Sequence, residues 1–402
     1  MKPAIVIADD LTGAADTGVC FTRAGLSVTV VFSAENSPGA DVLVFSTESR
    51  YAGESEARKR IRHLLPAAKE AAYIYKKIDS TLRGYPGPEL AELMAGLGVE
   101  KALIAPAFPA QGRTTVAGRQ LIDGTSIEHT SFQSEAAHAD LTQIFSVCDR
   151  PVRSVSLPML RSNPAAVQKL FASPGPAIII GDAETDADLQ ILAAAALQSG
   201  MHLFCGSAGL AAALAAQLPA QGQSGGPAPL HRQKGPVLVI AGSRNPVTVT
   251  QVKTACDAGV AAVEFDPDFG CEPNKPPDVV INAITPHLIR GQDVILTTST
   301  SKDSPCGPMA VAERLAQCAS FLIRTQEICG LVLTGGDIAQ AVISALHASG
   351  VQLYGELQSG IPLGALVGGI RPDLPIITKA GGFGNKDALL KAIQSLRTVT
   401  DS

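Results

Sequence analysis

At 402 residues the chain is longer than one compact core organises, so two domains of ordinary size are expected. Its net charge of −5 excludes a broad basic face for nucleic acid, and any pull on anionic ligands must come from local cations and helix N-termini. With 4% aromatics and no Trp, but much Ala, Gly, Val, Ile and Leu, the composition suits packed parallel strands rather than an all-β sandwich.

The eight cysteines stand singly, with no CxxC and no His at ligand spacing, which argues against a zinc site. The opening MKPAIVIADD enters a strand pattern at once and leaves no room for a signal peptide. Together with free thiols, this predicts a cytoplasmic protein. The most apolar stretch, His202 to Leu218, is interrupted by Gly206, Ser207 and Gly209 and reads as a buried helix, not a membrane span.

In chain order, Ala4–Ala8 is a β-branched strand ending in Asp9-Asp10, and Thr12 is placed to cap a helix over Gly13–Ala24 that stops at Gly25. Strands follow at Ser27–Phe32 and Asp41–Ser46, then a charged amphipathic helix near Glu54–Leu65. Tyr73–Ile78 is a strand, Pro88–Ala95 a helix and Lys101–Pro106 a buried strand. Ala177–Ile180 is a strand, with helices at Asp186–Leu197 and Ala208–Leu218. The stretch Gln217–Gly235, dense in Pro, Gly, Gln and Ser, reads as a linker. It divides the chain into domains 1–220 and 236–402, with 221–235 between them. Beyond it come strands at Val237–Ala241, Asp293–Thr297, Leu331–Thr334 and Pro375–Thr378. Helices are expected at Pro246–Ala258, Met309–Thr325, Ile338–Ala348 and Asp387–Leu396. Such alternation predicts two α/β domains with mostly parallel sheets.

Ligands of open α/β sheets bind at the carboxyl ends of strands, and five polar or Gly-rich segments lie there. Asp9-Asp10 puts a carboxylate at the crevice, where it either caps the helix or takes up substrate hydroxyls or a proton. Lys76 to Gly84 packs cations, Asp79, Ser80 and Thr81 around one strand exit. Its Arg83 offers bidentate binding to a carboxylate, and the hydroxyls can complete the clamp. Arg50, after the preceding strand, either converges on the same crevice or is a surface Arg. Gly112-Arg113-Thr114 offers a further cation beside a hydroxyl.

In the second half, Gly242-Ser243-Arg244-Asn245-Pro246 follows a strand and opens a helix, an arrangement suited to an anion. Thr334-Gly335-Gly336-Asp337 repeats it, and the glycines of Lys379 to Gly384 permit close backbone approach to phosphate or adenosine. No P-loop, GxGxxG at the first strand turn, protein-kinase signature, GxSxG or HExxH occurs. His129 and His138 are isolated, and His202 and His347 sit in helical apolar patterns, so none is read as catalytic.

Taken in order, IADDLTGAADTG, KKIDSTLRG, APAFPAQGRTT, GSRNPVT, LVLTGGDIAQAV, GIPLGALVGG and TKAGGFG resemble the four-carbon acid sugar kinase family, from near residue 4 to near residue 390. The resemblance implies an N-terminal domain that holds a four-carbon sugar acid and a C-terminal domain that holds ATP. The product would be the 4-phosphate. Holding two anions together on a protein that is itself negative further calls for Mg²⁺ and local cations to screen them. Matching motifs place Asp10, Arg50, Asp79, Ser80, Thr81, Leu82 and Arg83 on the sugar acid. They place Ser243, Thr334, Gly335, Gly336, Asp337, Gly381, Gly382 and Gly384 on the nucleotide.

Asp10 and Asp337 are the two candidates for the base that assists the attacking hydroxyl. Asp337 is alternatively an N-cap or a Mg²⁺ partner. The basic form KKIDSTLRG is more similar to members acting on threonate or erythronate than to those acting on 3-oxo-tetronate. A nicotinamide-dependent dehydrogenase and a non-enzymatic sugar-acid sensor are the rival classes. The expected partners are small molecules, neither nucleic acid nor membrane, and homo-oligomerisation stays open.

Overall fold

The computed structural model describes residues 2–32, 39–133, 138–218, 230, 233–265, 278–298 and 307–398. Most of the stretch expected to be a linker, Gln217–Gly235, lies outside the described residues. The chain packs as two compact units, Met1–Val28 with Ala40–Gly225, and Thr29–Gly39 with Gly226–Ser402.

The first unit begins with β1 (Ala4–Ala8), α1 (Leu11–Arg23), β2 (Val28–Val31, which passes into the second unit from Thr29), β3 (Val42–Ser46), α2 (Glu54–Ala68), β4 (Tyr73–Lys77), α3 (Pro86–Leu97) and β5 (Lys101–Ala105). A small meander follows, of β6 (Arg113–Val116), β7 (Arg119–Ile122) and β8 (Thr125–Ser126). Then come α4 (Leu141–Phe145), β9 (Val152–Val155), α5 (Leu157–Ser162), α6 (Pro164–Ala172), β10 (Ala177–Gly181), α7 (Asp186–Gln198), β11 (Leu203–Gly206) and α8 (Ala208–Ala215).

Its strands lie in the order β3-β1-β4-β11-β5-β10-β9, every pairing parallel. All five residues of β1 and of β10 are buried, as strands covered on both faces must be. The chain steps from β1 out to β3 and then returns to β4 on the other side of β1. The crevice beyond the carboxyl ends of β1, β3 and β4 is therefore the switch point where such sheets bind ligands.

The second unit holds β12 (Val237–Ala241), α9 (Pro246–Asp257), β13 (Ala261–Phe265), α10 (Asp278–Ile289), β14 (Val294–Thr298), α11 (Pro308–Thr325), β15 (Gly330–Thr334) and α12 (Gly336–Ala345). It closes with β16 (Ala348–Gln358), β17 (Ile361–Gly368), β18 (Pro375–Lys379) and α13 (Ala388–Thr398). The order is β13-β14-β12-β15-β18-β17-β16, parallel except that β17 runs antiparallel to both neighbours. Val239, Val332 and Ile377 of the sheet pack with Ala255 of α9 and Leu389 and Ile393 of α13 into one core. The residues from Thr29 also belong here: the Phe32 N–H donates to Ser349 O at 2.8 Å and the Thr29 hydroxyl to Gln352 Oε1 at 3.0 Å.

Three local readings change. Helix α1 starts at Leu11 and is capped by Asp10, not Thr12; the Asp10 carboxylate accepts the Gly13 N–H, and the aspartate is the stronger acceptor. The helix expected to run to Ala348 ends at Ala345, and the chain turns through His347 (φ 54°) into the β16–β17 hairpin. His202 lies before β11 rather than in a helix, its ring centroid 5.9 Å from that of Tyr73. No helix among the described residues is long and apolar enough to cross a membrane.

Candidate functional site

Two constellations occupy strand ends, one in each unit. In the first unit, Arg50 is held by the residues that follow β1. Its Nε and Nη2 donate to Asp9 Oδ2 and Oδ1 at 2.7 and 3.0 Å, and its Nη1 donates to Asp10 Oδ2 at 2.7 Å. The backbone repeats the join, since the Ser49 N–H donates to Asp9 O at 2.9 Å. Burial works to raise the Asp9 carboxyl, but the Arg50 guanidinium overrides it and the group ends below its ordinary value. For Asp10 burial prevails over Arg50 and the Asp9 charge adds to it, so this carboxyl is raised. Burial disfavours the Arg50 cation, yet Asp9, Asp10 and Asp79 hold its proton more firmly than usual. Two adjacent aspartates thus differ in proton affinity, the arrangement general acid–base chemistry uses.

The loop after β4 forms the opposite wall. Asp79 accepts Arg83 Nε at 2.5 Å and the Thr81 hydroxyl, and although burial opposes it, the Arg83 contact leads in pulling its carboxyl well below the usual range. Leu82, buried, takes a positive φ of 59°, which turns Arg83 back toward Asp79. The Arg83 guanidinium lies 5.7 Å from the Phe132 ring centroid. Gln120 braces the loop from the meander, donating to Ser80 O at 2.9 Å.

Behind the crevice, Lys76 and Glu89 form a fully buried ion pair at 3.1 Å, so this lysine supports the wall. The Lys77 ammonium reaches the start of α1. A Cβ on Gly13 would lie 2.9 Å from Lys77 Nζ and 2.6 Å from Asp10 Oδ1, so glycine there keeps the mouth open. The structure thus brings Asp10, Arg50, Asp79, Ser80, Thr81, Leu82 and Arg83 together; the Arg113 guanidinium instead donates to Gln111 O.

In the second unit, α9 is capped by Asn245, which accepts the Val247 N–H at 2.9 Å, with Pro246 as its first residue. Ser243, Gly335 and Gly381 converge: a Cβ on Gly381 would lie 2.1 Å from Ser243 Oγ, and one on Gly335 3.8 Å from Ser243 Cβ. Helix α9 holds the glycine loop by its carbonyls. The Thr248 hydroxyl donates to Gly381 O at 2.8 Å, and Gln251 Nε2 donates to the carbonyls of Phe383, Gly384 and Asn385 at 3.0, 3.2 and 2.9 Å. The N–H groups of Gly381, Gly382 and Gly384 have no partner among the described residues. Such unpaired amides beside a helix N-terminus suit an anion. Gly336 and the exposed Asp337 open α12 on the far side of Gly335.

Residues 4–214 match the family model of a sugar-binding N-terminal domain, and residues 238–389 that of a nucleotide-binding C-terminal domain. A D-threonate kinase of Salmonella typhimurium is 36% identical over 97% of both chains. The chain belongs to the four-carbon acid sugar kinase family. A D-erythronate kinase of Heliobacterium modesticaldum is 29% identical, and a 3-oxo-tetronate kinase of Methylobacterium radiotolerans 27%, each over at least 97% of both chains. Solved structures of a Salmonella typhimurium protein (TM-score 0.84, 20% identity, 98% and 99% coverage) and a Haemophilus influenzae protein (TM-score 0.79, 22% identity, 98% and 100% coverage) share the fold.

Three residues that the structure places in or behind the crevice of the first unit carried weaker sequence signals. Asp9 and Lys77 stood inside the quoted motifs but drew less notice than their neighbours. Glu89, in an otherwise ordinary α3, carried no signal, because a helical Glu is normally solvated.

Proposed function

We propose that this chain transfers the γ-phosphoryl group of ATP to the terminal 4-hydroxyl of D-threonate, with D-erythronate as the neighbouring alternative substrate. The observation that carries the reading is the full-length match to a D-threonate kinase, joined to a charged crevice in the matched sugar-binding unit. Lower identity to the 3-oxo-tetronate kinases makes that substrate the weaker choice.

In this reading Arg83, Ser80 and Thr81 receive the carboxylate of the acid, and Arg50 fixes Asp10 rather than swinging onto the substrate. Asp10 orients the sugar hydroxyls and takes the proton of the attacking one, a role that its raised carboxyl supports. Ser243, Thr334 to Asp337 and the amides of Gly381, Gly382 and Gly384 receive the nucleotide. Positioning and charge stabilisation supply most of the rate, as in phosphoryl transfer generally.

No three His, Cys, Asp or Glu side chains gather as a metal cage among the described residues. Mg²⁺ is usually bound by one or two carboxylates plus substrate phosphates, so this donor set fits an ion carried in on ATP. Asp337, exposed at the start of α12, is the carboxylate that would hold it, and the ion would screen the phosphate charge.

The test is ADP release by the purified protein over D-threonate, D-erythronate, L-threonate and 3-oxo-tetronate, with NAD reduction followed in parallel. D-threonate should give the highest kcat/KM. ADP release on none of the four, or NAD reduction in its place, would overturn the reading.

A further inference from the structure

Lys379 ends β18 and is 4% exposed, the only charged residue among the buried described residues of the second unit. Among the described residues no carboxylate pairs with it. Its ammonium lies 3.3 Å from Thr248 Oγ1 and 3.5 Å from Gly381 O, both long contacts for a charged donor. Buried lysines are normally paired, so a cation left in this state needs an explanation.

A second orphan stands beside it. Thr334 is fully buried and its hydroxyl has no hydrogen-bond partner among the described residues. Thr334 and Lys379 are in register on the parallel strands β15 and β18. Val332 and Ile377, two residues earlier on each strand, both enter the core against α9 and α13. Strand alternation therefore sends Thr334 and Lys379 to that same face, at the strand ends where α9 begins. The glycine loop that carries the unpaired amides of Gly381, Gly382 and Gly384 follows Lys379 directly and meets it through the Gly381 carbonyl. An ammonium and a hydroxyl, both lacking good acceptors among the described residues, thus end two neighbouring strands, and the glycine loop follows one of them directly.

Resting on the kinase reading above, we propose that Lys379 is the cation that receives a phosphate of the bound nucleotide, and that it takes up a proton as the nucleotide enters. Burial alone holds its ammonium down, to about 8. The groups that face it are the Thr248 hydroxyl from α9 and the Gly381 carbonyl from the loop; no acidic or basic side chain of the packed elements adds to the shift. A phosphate placed beside it restores the charged form, so above this value binding and protonation are coupled.

The experiment is titration calorimetry of the full chain with ADP alone, without divalent cation, at pH 9 in two buffers of different ionisation enthalpy. Phosphate groups of ADP are fully ionised there and contribute no proton of their own. The wild type should take up roughly 0.9 proton per ADP, and its Kd should weaken toward tenfold per pH unit above about pH 8. Lys379→Met should bind ADP about 10- to 100-fold more weakly at pH 7 and show no uptake. Lys379→Arg, which stays charged, should bind without uptake and without the alkaline loss.

ADP binding by the wild type with no proton uptake would overturn the proposal. So would Lys379→Met binding ADP as tightly as the wild type at pH 7. The wild-type measurement stands even if a variant fails to fold. ADP release on the sugar-acid panel without proton-linked binding sinks this inference alone, whereas proton-linked ADP binding with no turnover on the panel sinks the substrate reading alone.

Discussion

Removing the Arg50 guanidinium would test whether the charged crevice is built as one unit. In Arg50→Ala, three hydrogen bonds of 2.7 to 3.0 Å vanish, and two neighbouring carboxylates lose the cation between them. The side chains of Arg50 and Asp9 are 10% and 3% exposed, so the penalty is that of breaking a buried pair, about 3–5 kcal/mol. For a unit of this size that corresponds to a melting-temperature loss of roughly 6–20 °C.

The loss should depend on pH with a definite sign. In the wild type the folded Asp9 value lies below the ordinary 3.8, so its stabilisation is present above 3.8 and is lost only as pH falls through the depressed value. Without Arg50, burial dominates and the folded carboxyls are raised. Stability then falls as pH rises from the unfolded value through the folded one. Thermal melts of both proteins at pH 5 and pH 8 should show the wider gap at pH 8. An equal gap at both, or a loss under about 1 kcal/mol, would mean that the cluster carries no coupled burial cost.

Gly381→Ala should press a methyl onto Ser243, whose Oγ would lie 2.1 Å away, and distort the glycine loop. ADP affinity measured by calorimetry should drop at least about tenfold, while the KM for the sugar acid changes little. Asp10→Asn keeps a side-chain oxygen for the Gly13 N–H, since Asn caps as well as Asp, but it removes the proton acceptor. Steady-state kinetics should show kcat reduced about 100-fold or more, and a kcat within about threefold of wild type would remove Asp10 from the proton-transfer role.

Much of the fold was legible because its strands are short runs of buried β-branched residues, as in β1, β10 and β12. The crevice was legible because Asp9-Asp10, Arg50 and Asp79 to Arg83 each follow such a run. The β16–β17 hairpin was not: Gly350, Gly355 and several register shifts break its alternation, and the apolar spacing of α12 runs on past its end at Ala345. Pairing was the other hidden layer. That Arg50 serves two aspartates, that Glu89 meets Lys76, and that Lys379 meets no acid among the described residues depend on contacts between residues far apart in the chain. Residue types announce the chemistry available at a strand end, but only packing decides which charges cancel and which are left for a ligand.

The second unit draws on the chain twice, taking Thr29 to Gly39 before the rest of it begins beyond residue 225. A fragment started at residue 236 would lack the donors that Thr29 and Phe32 supply to Gln352 and Ser349 on β16. That strand's margin would be left as bare backbone, an invitation to pair with another copy. One scission therefore cannot yield two self-sufficient pieces, and gene-splitting or fragment-expression schemes need to carry the early segment along with the C-terminal portion.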